Sequence, residues 1–271
     1  MTSITTTTSV SSKDAYAYDT FTTGLIIGDL AFRGSDPGPG DHLPTFDIEL
    51  LDGSRLTRNT LGDRPVLIVF GSMTCPVTES SGPVLNDLHG RFGDQVRFVL
   101  VNTREAHPGE QLFQPRTMDA KRRRAGQLRA HHGFRFEVAI DDIEGDFHRA
   151  MSPKPNSAYL VHPDGFIAYR VHWANDGAGL ERAIIAVLEG KRTVGRSRAM
   201  LGPLLRAIGH LPSIGKRGGA KVMRDVWRAV PPFAVMAVLT KPLGFLPADT
   251  RGPVAGGALV AGIAAFVWFL V

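Results

Sequence analysis

A strand that runs into the chain's only cysteine constrains this sequence more than any other feature. Pro65-Val66-Leu67-Ile68-Val69-Phe70 is an unbroken apolar stretch. Its length fits a strand buried on both faces of a sheet. It leads into Phe70 to Ser80, FGSMTCPVTES, which holds Cys75. From Ser80 to Leu88 the pattern is helical, with Val84, Leu85 and Leu88 on one face. Cys75 therefore stands where a core strand gives way to a helix. Backbone N–H groups and the helix dipole favour an anion there, so the position predicts a thiol with a lowered pKa. A lone cysteine is ordinarily a small buried hydrophobe. Strand, turn, Pro76 and helix together favour a nucleophile.

A single cysteine rules out an internal disulfide, and a reacting thiol here must be reset by an outside one. The charge is unevenly spread. Lys191 to Arg251 carries twelve Lys or Arg and two acids, a net +10, which leaves −5 for the rest of a chain of formal charge +5. Nucleic acid is one reading of such a basic segment, but no nucleic-acid motif accompanies it. An anionic membrane surface is the other.

Four regions follow in order. Residues 1–36 are Ser/Thr-rich at the start, lack an apolar period and are expected to be disordered. Residues 37–190 form the main domain, opened by the turn formers Asp36 to Asp41. Leu43 to Leu50 alternates as an edge strand should, and Val96 to Val101 is a second buried strand. The latter ends in a loop containing Glu105-Ala106-His107-Pro108. If the two buried strands are parallel neighbours, this loop and the Cys75 turn share the sheet end where ligands bind in open α/β folds. Met118 to His132 is a basic helix; Lys121 to Arg124 is expected to be a solvated face, with anion steering as the alternative. A strand at Val138–Ile140, a short helix at Asp146–Met151, a hairpin from Ser157 to Val171 and a helix from Leu180 to Leu188 complete an α/β domain with a central mixed sheet. His131-His132 and His172-Trp173 lack metal-site spacing, and no metal is expected. Residues 191–252 read as a basic amphipathic linker. Residues 253–271 are 19 uncharged residues, about 28 Å as a helix, and are expected to span a membrane. The positive-inside rule would then keep the main domain in the cytoplasm.

The strand, the Cys-Pro turn and a helix with Pro83 eight residues after Cys75 resemble the thioredoxin fold. The opening Gly40 to Phe46 with Asp52-Gly53 resembles the redoxin and peroxiredoxin branch. Phe70-Gly-Ser72-Met-Thr74-Cys75-Pro76 and Glu105-Ala-His107-Pro108 resemble two active-site segments of the iodothyronine deiodinases, with Cys75 where that family usually has selenocysteine. The resemblance covers about Gly40 to Gly190. It implies Cys75 as nucleophile, with His107 and Glu105 as the acid/base pair. Ser72, Thr74 and Thr78 would donate to the thiolate or cap the helix. Pro155, with Pro153 as the alternative, would be the cis proline facing the nucleophile. Thr78 stands where thioredoxins place a second cysteine, which excludes self-contained dithiol exchange.

The sequence thus predicts a thiol-dependent oxidoreductase of deiodinase-like type, reducing a halide or a peroxide at one cysteine. It would bind no cofactor and be recycled by a glutathione-like thiol or thioredoxin. Its partners would be a small substrate, the reductant and a membrane held by the C-terminal tail, with room for a homodimer and no role for nucleic acid. The alternative is a non-catalytic redox sensor or tethering module at a membrane.

Overall fold

The computed structural model describes residues 16–197 and 199–270, except for the side chains of 263, 266, 267, 269 and 270. In chain order the helices and strands are α1 (Thr23–Asp29), β1 (Asp47–Leu50), β2 (Arg55–Thr57), β3 (Val66–Gly71), α2 (Pro76–Phe92), β4 (Arg97–Asn102), α3 (Met118–His132), β5 (Glu137–Ile140), α4 (Asp146–Met151), β6 (Ala158–Val161), β7 (Ile167–Val171), α5 (Gly177–Leu188), β8 (Gly195–Arg196), α6 (Leu201–Gly218), α7 (Ala220–Ala229), α8 (Pro231–Leu239) and α9 (Ala248–Leu270). The strands make one mixed sheet in the order β2-β1-β5-β4-β3-β6-β7-β8. β3 is parallel to β4, β4 to β5, and β3 is antiparallel to β6, which pairs antiparallel with β7. A parallel β-α-β unit followed by an antiparallel hairpin and a closing helix is a thioredoxin-like arrangement. β1 is not at the edge: it lies between β2 and β5.

The apolar run is unbroken because β3 is buried on both faces. Val66, Ile68 and Phe70 enter one core, with Val99, Val101 and Tyr159. Leu67 and Val69 enter the other, with Leu85 and Leu88 of α2 and Leu128 of α3. Each such fully buried side chain stabilises the fold by about 1.5–3 kcal/mol. Gly71 of β3 lies opposite Asn102 of β4, so both strands finish at one level. The Cys75 turn and the Glu105 loop leave from that shared end.

Two regions differ from expectation. Residues 16–36, expected to be disordered, are folded against the domain. Tyr16 and Phe21 are buried, and Thr23 Oγ1 donates to the Ala229 carbonyl at 2.8 Å. Residues 1–15 lie outside the described residues. The basic segment 191–252 is not a linker but a helical layer, α6 to α8, whose Ile208, Leu211, Val226, Ala234 and Ala237 form a core of their own. α6 crosses α9 at Gly209 and Gly252, where a Cβ on either would collide with the other helix's backbone. Only glycine lets the two helices approach so closely.

α9 covers most of the expected span. Among the described residues no helix is long and apolar enough to cross a membrane. Five side chains of the span, and Val271, lie outside the described residues. Along α9, Leu259, Val260 and Trp268 are exposed.

Candidate active site

Cys75 is the N-cap residue of α2, in extended conformation, with Pro76 at the first helical position. Proline is tolerated there because that N–H has no partner within the helix anyway. The Val77 and Thr78 N–H groups and the Thr78 hydroxyl lie near enough to the sulfur to favour a thiolate, although no side-chain hydrogen bond caps the helix from Cys75. Thr78 Oγ1 in turn accepts from Ser72 N–H and from Asn156 Nδ2, both at 3.3 Å. Both contacts fix the position of the Thr78 hydroxyl. These donors favour the thiolate.

Burial outweighs them. Cys75 is 3% exposed, packed with Val77, Trp173 and Ala207 of α6. Desolvation pushes the thiol above its ordinary value, against the hydrogen bonds from Thr78 and Val77. The expected lowered pKa is therefore wrong in sign. The helix terminus is present, but α6 and the N-terminal segment exclude the water that would solvate the thiolate.

The Glu105 loop is also wired differently from the expected acid/base pair. Glu105 is fully buried. One carboxylate oxygen accepts from Thr74 N–H at 2.8 Å and from Thr74 Oγ1 at 2.7 Å; the other accepts from Arg124 Nη1 at 2.8 Å. His107 is not oriented by Glu105: its backbone N–H donates to Thr74 Oγ1 at 3.0 Å, and its ring Nδ1 has no hydrogen-bond partner among the described residues. Ser72 and Thr74 serve the loop rather than the sulfur. Ser72 Oγ accepts from Ala106 N–H at 3.2 Å, and Thr74 ties Glu105 to His107. Glu105 thus clamps the Cys75 turn to the loop after β4. Burial pushes His107 down to about 4, with Asp225 opposing, so its imidazole is neutral near neutral pH.

Arg124 and its neighbour Lys121 were expected on a solvated face. Both are buried. Lys121 Nζ donates to the Asp142 carbonyl at 2.5 Å, and desolvation brings it down to about 8. Residues 121, 124, 125 and 128 share one helix face with i, i+3, i+4, i+7 spacing, and Ala125 and Leu128 are core residues. That spacing was the available signal.

Cys75 opens onto two cavities. One, of about 80 Å³, is almost wholly apolar, lined by Phe21, Val77, Trp173, Leu204 and Ile208, with His107 at its wall. The Phe21 ring packs on the His107 imidazole with centroids 4.2 Å apart. The other, of about 30 Å³, is the more polar of the two, lined by Tyr18, Ser72, Thr103, Arg104 and Asn156, with Ala106 and Pro155 on its apolar side. That is room for about one water-sized group. Pro155 and Asp29 border both. Pro155 thus lies beside the sulfur, while Pro153 borders only the polar cavity. The cis bond implied by the family resemblance is not found: among the described residues no peptide bond is cis. Tyr18, Phe21 and Asp29 come from the segment expected to be disordered, and Leu204 and Ile208 from the expected linker. Those assignments hid these residues.

The pair His131-His132 comes together with Glu79, their ligand atoms lying within 4.8 Å of one another. Arg217 already takes both Glu79 oxygens, at 2.9 and 2.6 Å. Burial raises the Glu79 carboxyl, but the hydrogen bonds and charges of Arg217 and His131 outweigh it and hold it at about 2. The group pins α3 and α6 to α2.

No protein-family model matches the chain, and no curated protein matches its sequence. Solved structures do resemble it. An uncharacterised conserved protein from Geobacillus kaustophilus is 19% identical with a TM-score of 0.47, over 61% of this chain and 91% of that one. A putative thiol:disulfide interchange protein DsbE from Chlorobium tepidum is 21% identical with a TM-score of 0.45, over 55% and 97%. The peroxidoxin BcpB from Mycobacterium tuberculosis is 14% identical with a TM-score of 0.42, over 56% and 97%. The likeness is one of fold and does not carry the deiodinase resemblance of the two sequence motifs.

Proposed function

We propose that this protein is a one-cysteine, thiol-dependent oxidoreductase that reduces a small apolar substrate at Cys75. The observation that carries this reading is the position of the sulfur between an apolar cavity and a polar one. An organic hydroperoxide suits both: its hydrocarbon in the apolar cavity, its peroxy group beside Arg104 and Thr103. Cys75 sulfur takes the terminal oxygen, the O–O bond breaks, and the alkoxide leaves as an alcohol once protonated. The products are a Cys75 sulfenic acid and the alcohol. Two equivalents of external thiol, glutathione-like or thioredoxin, return the sulfenic acid to the thiol, releasing water and a disulfide. Removal of iodine from an aromatic ring, the reaction of the family whose motifs the sequence resembles, is the second reading. The aromatic wall of Phe21, His107 and Trp173 favours it.

Turnover assays with thiol reductant separate these. Organic hydroperoxides, hydrogen peroxide, disulfides and iodinated phenols are offered to the wild type and to Cys75→Ser. Turnover of an apolar hydroperoxide that Cys75→Ser abolishes is expected. Turnover of iodinated phenols alone selects the second reading. A wild type that turns over none of them leaves the sensor or tethering module.

The exposed apolar residues of α8 and α9 and the basic charge of residues 191–251 support attachment to an anionic membrane through the C-terminal tail, with the thiol domain on the cytoplasmic side. Full-length protein is expected to co-sediment with vesicles containing anionic lipid at low salt, and high salt should weaken that binding. Absence of co-sedimentation at low salt would remove the anchor from the account.

A further inference from the structure

We propose that the Asp29 carboxylate carries the proton for Cys75, accepting it from the thiol as the sulfur attacks and returning it to the leaving oxygen. The inference rests on the thiol-dependent reading above and names the acid–base group for it.

The site needs such a group. Cys75 is held as a thiol by its burial, so attack must be accompanied by loss of its proton. The alkoxide that leaves must gain one. Glu105 is unsuited, being sealed off by Thr74 and Arg124. His107, held near 4, is a weak base.

Asp29 lines the same two cavities as Cys75. It closes α1 and is half-buried. Its backbone is pinned, because its carbonyl oxygen lies 2.9 Å from His172 Nε2. Its carboxylate makes no hydrogen bond or ion pair among the described residues. The charged and titratable groups around it are Arg104 from the loop after β4, His107 from the same loop, His148 and Arg149 of α4, Lys154 from the loop before β6, Tyr16, Tyr18, His172 and Cys75. Burial lifts the carboxyl to about 6, with Arg104 and Lys154 opposing. At neutral pH it is therefore ionised, yet basic enough to take a proton and acidic enough to return it.

The proton balance closes within the site. The S–H bond breaks as S–O forms, and the carboxylate becomes a carboxylic acid. The O–O bond breaks, and the alkoxide takes that proton. Asp29 ends as it began.

Asp29→Asn and Asp29→Glu in the full-length chain test this with two readouts. The first is single-turnover oxidation of Cys75 by cumene hydroperoxide, with the sulfenic acid trapped by dimedone. The second is alkylation of Cys75 by iodoacetamide, which needs the thiolate but delivers no proton to an oxygen. Asp29→Asn is expected to slow oxidation by about a hundredfold. It should also remove a rise in rate with pH centred near 6. Alkylation should not slow, because the Asp29 charge raises the Cys75 pKa and its removal eases ionisation. Asp29→Glu should restore part of the oxidation rate. A structural role would slow both reactions together and would overturn the proposal. So would an Asp29→Asn variant that oxidises like the wild type. A wild type that no hydroperoxide oxidises at Cys75 overturns the peroxide reading, and the proposal with it.

Discussion

Removing Arg124 should unlock the site from the sheet. Its guanidinium is the only cation hydrogen-bonded to Glu105 among the described residues, at 2.8 Å, with side-chain exposures of 9% and 0%. Arg124→Ala leaves a fully buried carboxylate with only the two Thr74 donors. Breaking such a pair from one side typically costs about 3–5 kcal/mol, because the remaining charge keeps its desolvation penalty. For a domain of this size that is a fall of about 6–20 °C in Tm. Urea denaturation followed by far-UV circular dichroism measures it. The double variant Arg124→Met with Glu105→Gln should recover more than half of the loss, since it removes the stranded charge. A loss of about 1 kcal/mol or less would mean that water reaches Glu105 in the folded protein and that the clamp is an ordinary surface pair.

Two further outcomes follow from burial. His107 and His132 are held near 4 by desolvation, against about 6.5 in the unfolded chain, so the unfolded state binds more protons between those values. Stability should therefore fall as pH drops from about 6.5 towards 4, by about 1.4 kcal/mol per pH unit per histidine, and His132→Gln should flatten the slope; a slope unchanged in that variant would contradict the assignment. Truncation after Gly190 strips α6 from Val77 and Trp173, so the shortened protein is expected to aggregate. A soluble, cooperatively folding fragment of residues 16–190 would show that the helical layer is dispensable.

The β3–Cys75–α2 unit was legible because its signals are local: an apolar run, a proline at the start of the helix, and an apolar face on the helix itself. The order of strands and helices from β3 to α5 was legible for the same reason. The cover over the site was not. Tyr16, Tyr18 and Phe21 are single aromatic residues in a polar stretch, each anchored far away in sequence: Tyr16 to Asp141, Tyr18 to the Ala106 carbonyl, Phe21 to His107. No periodicity marks such anchors. The thiol pKa was misjudged because the helix-terminus effect is local, whereas its desolvation comes from Leu204 and Ala207, more than a hundred residues away. Glu105 and His107 were found as a motif, but their roles depend on Thr74 and Arg124. That wiring is visible only in three dimensions.

The proposed function makes Cys75 an oxidisable nucleophile matched to an apolar substrate. Its most direct test is the second-order rate of single-turnover Cys75 oxidation by cumene hydroperoxide against that by hydrogen peroxide, with Cys75→Ser as the blank. Burying roughly 100 Å² of aromatic surface in the apolar cavity is worth about 2.5 kcal/mol, so cumene hydroperoxide should react faster by on the order of fiftyfold. Equal rates for the two, or a sulfur that neither oxidises, would contradict it.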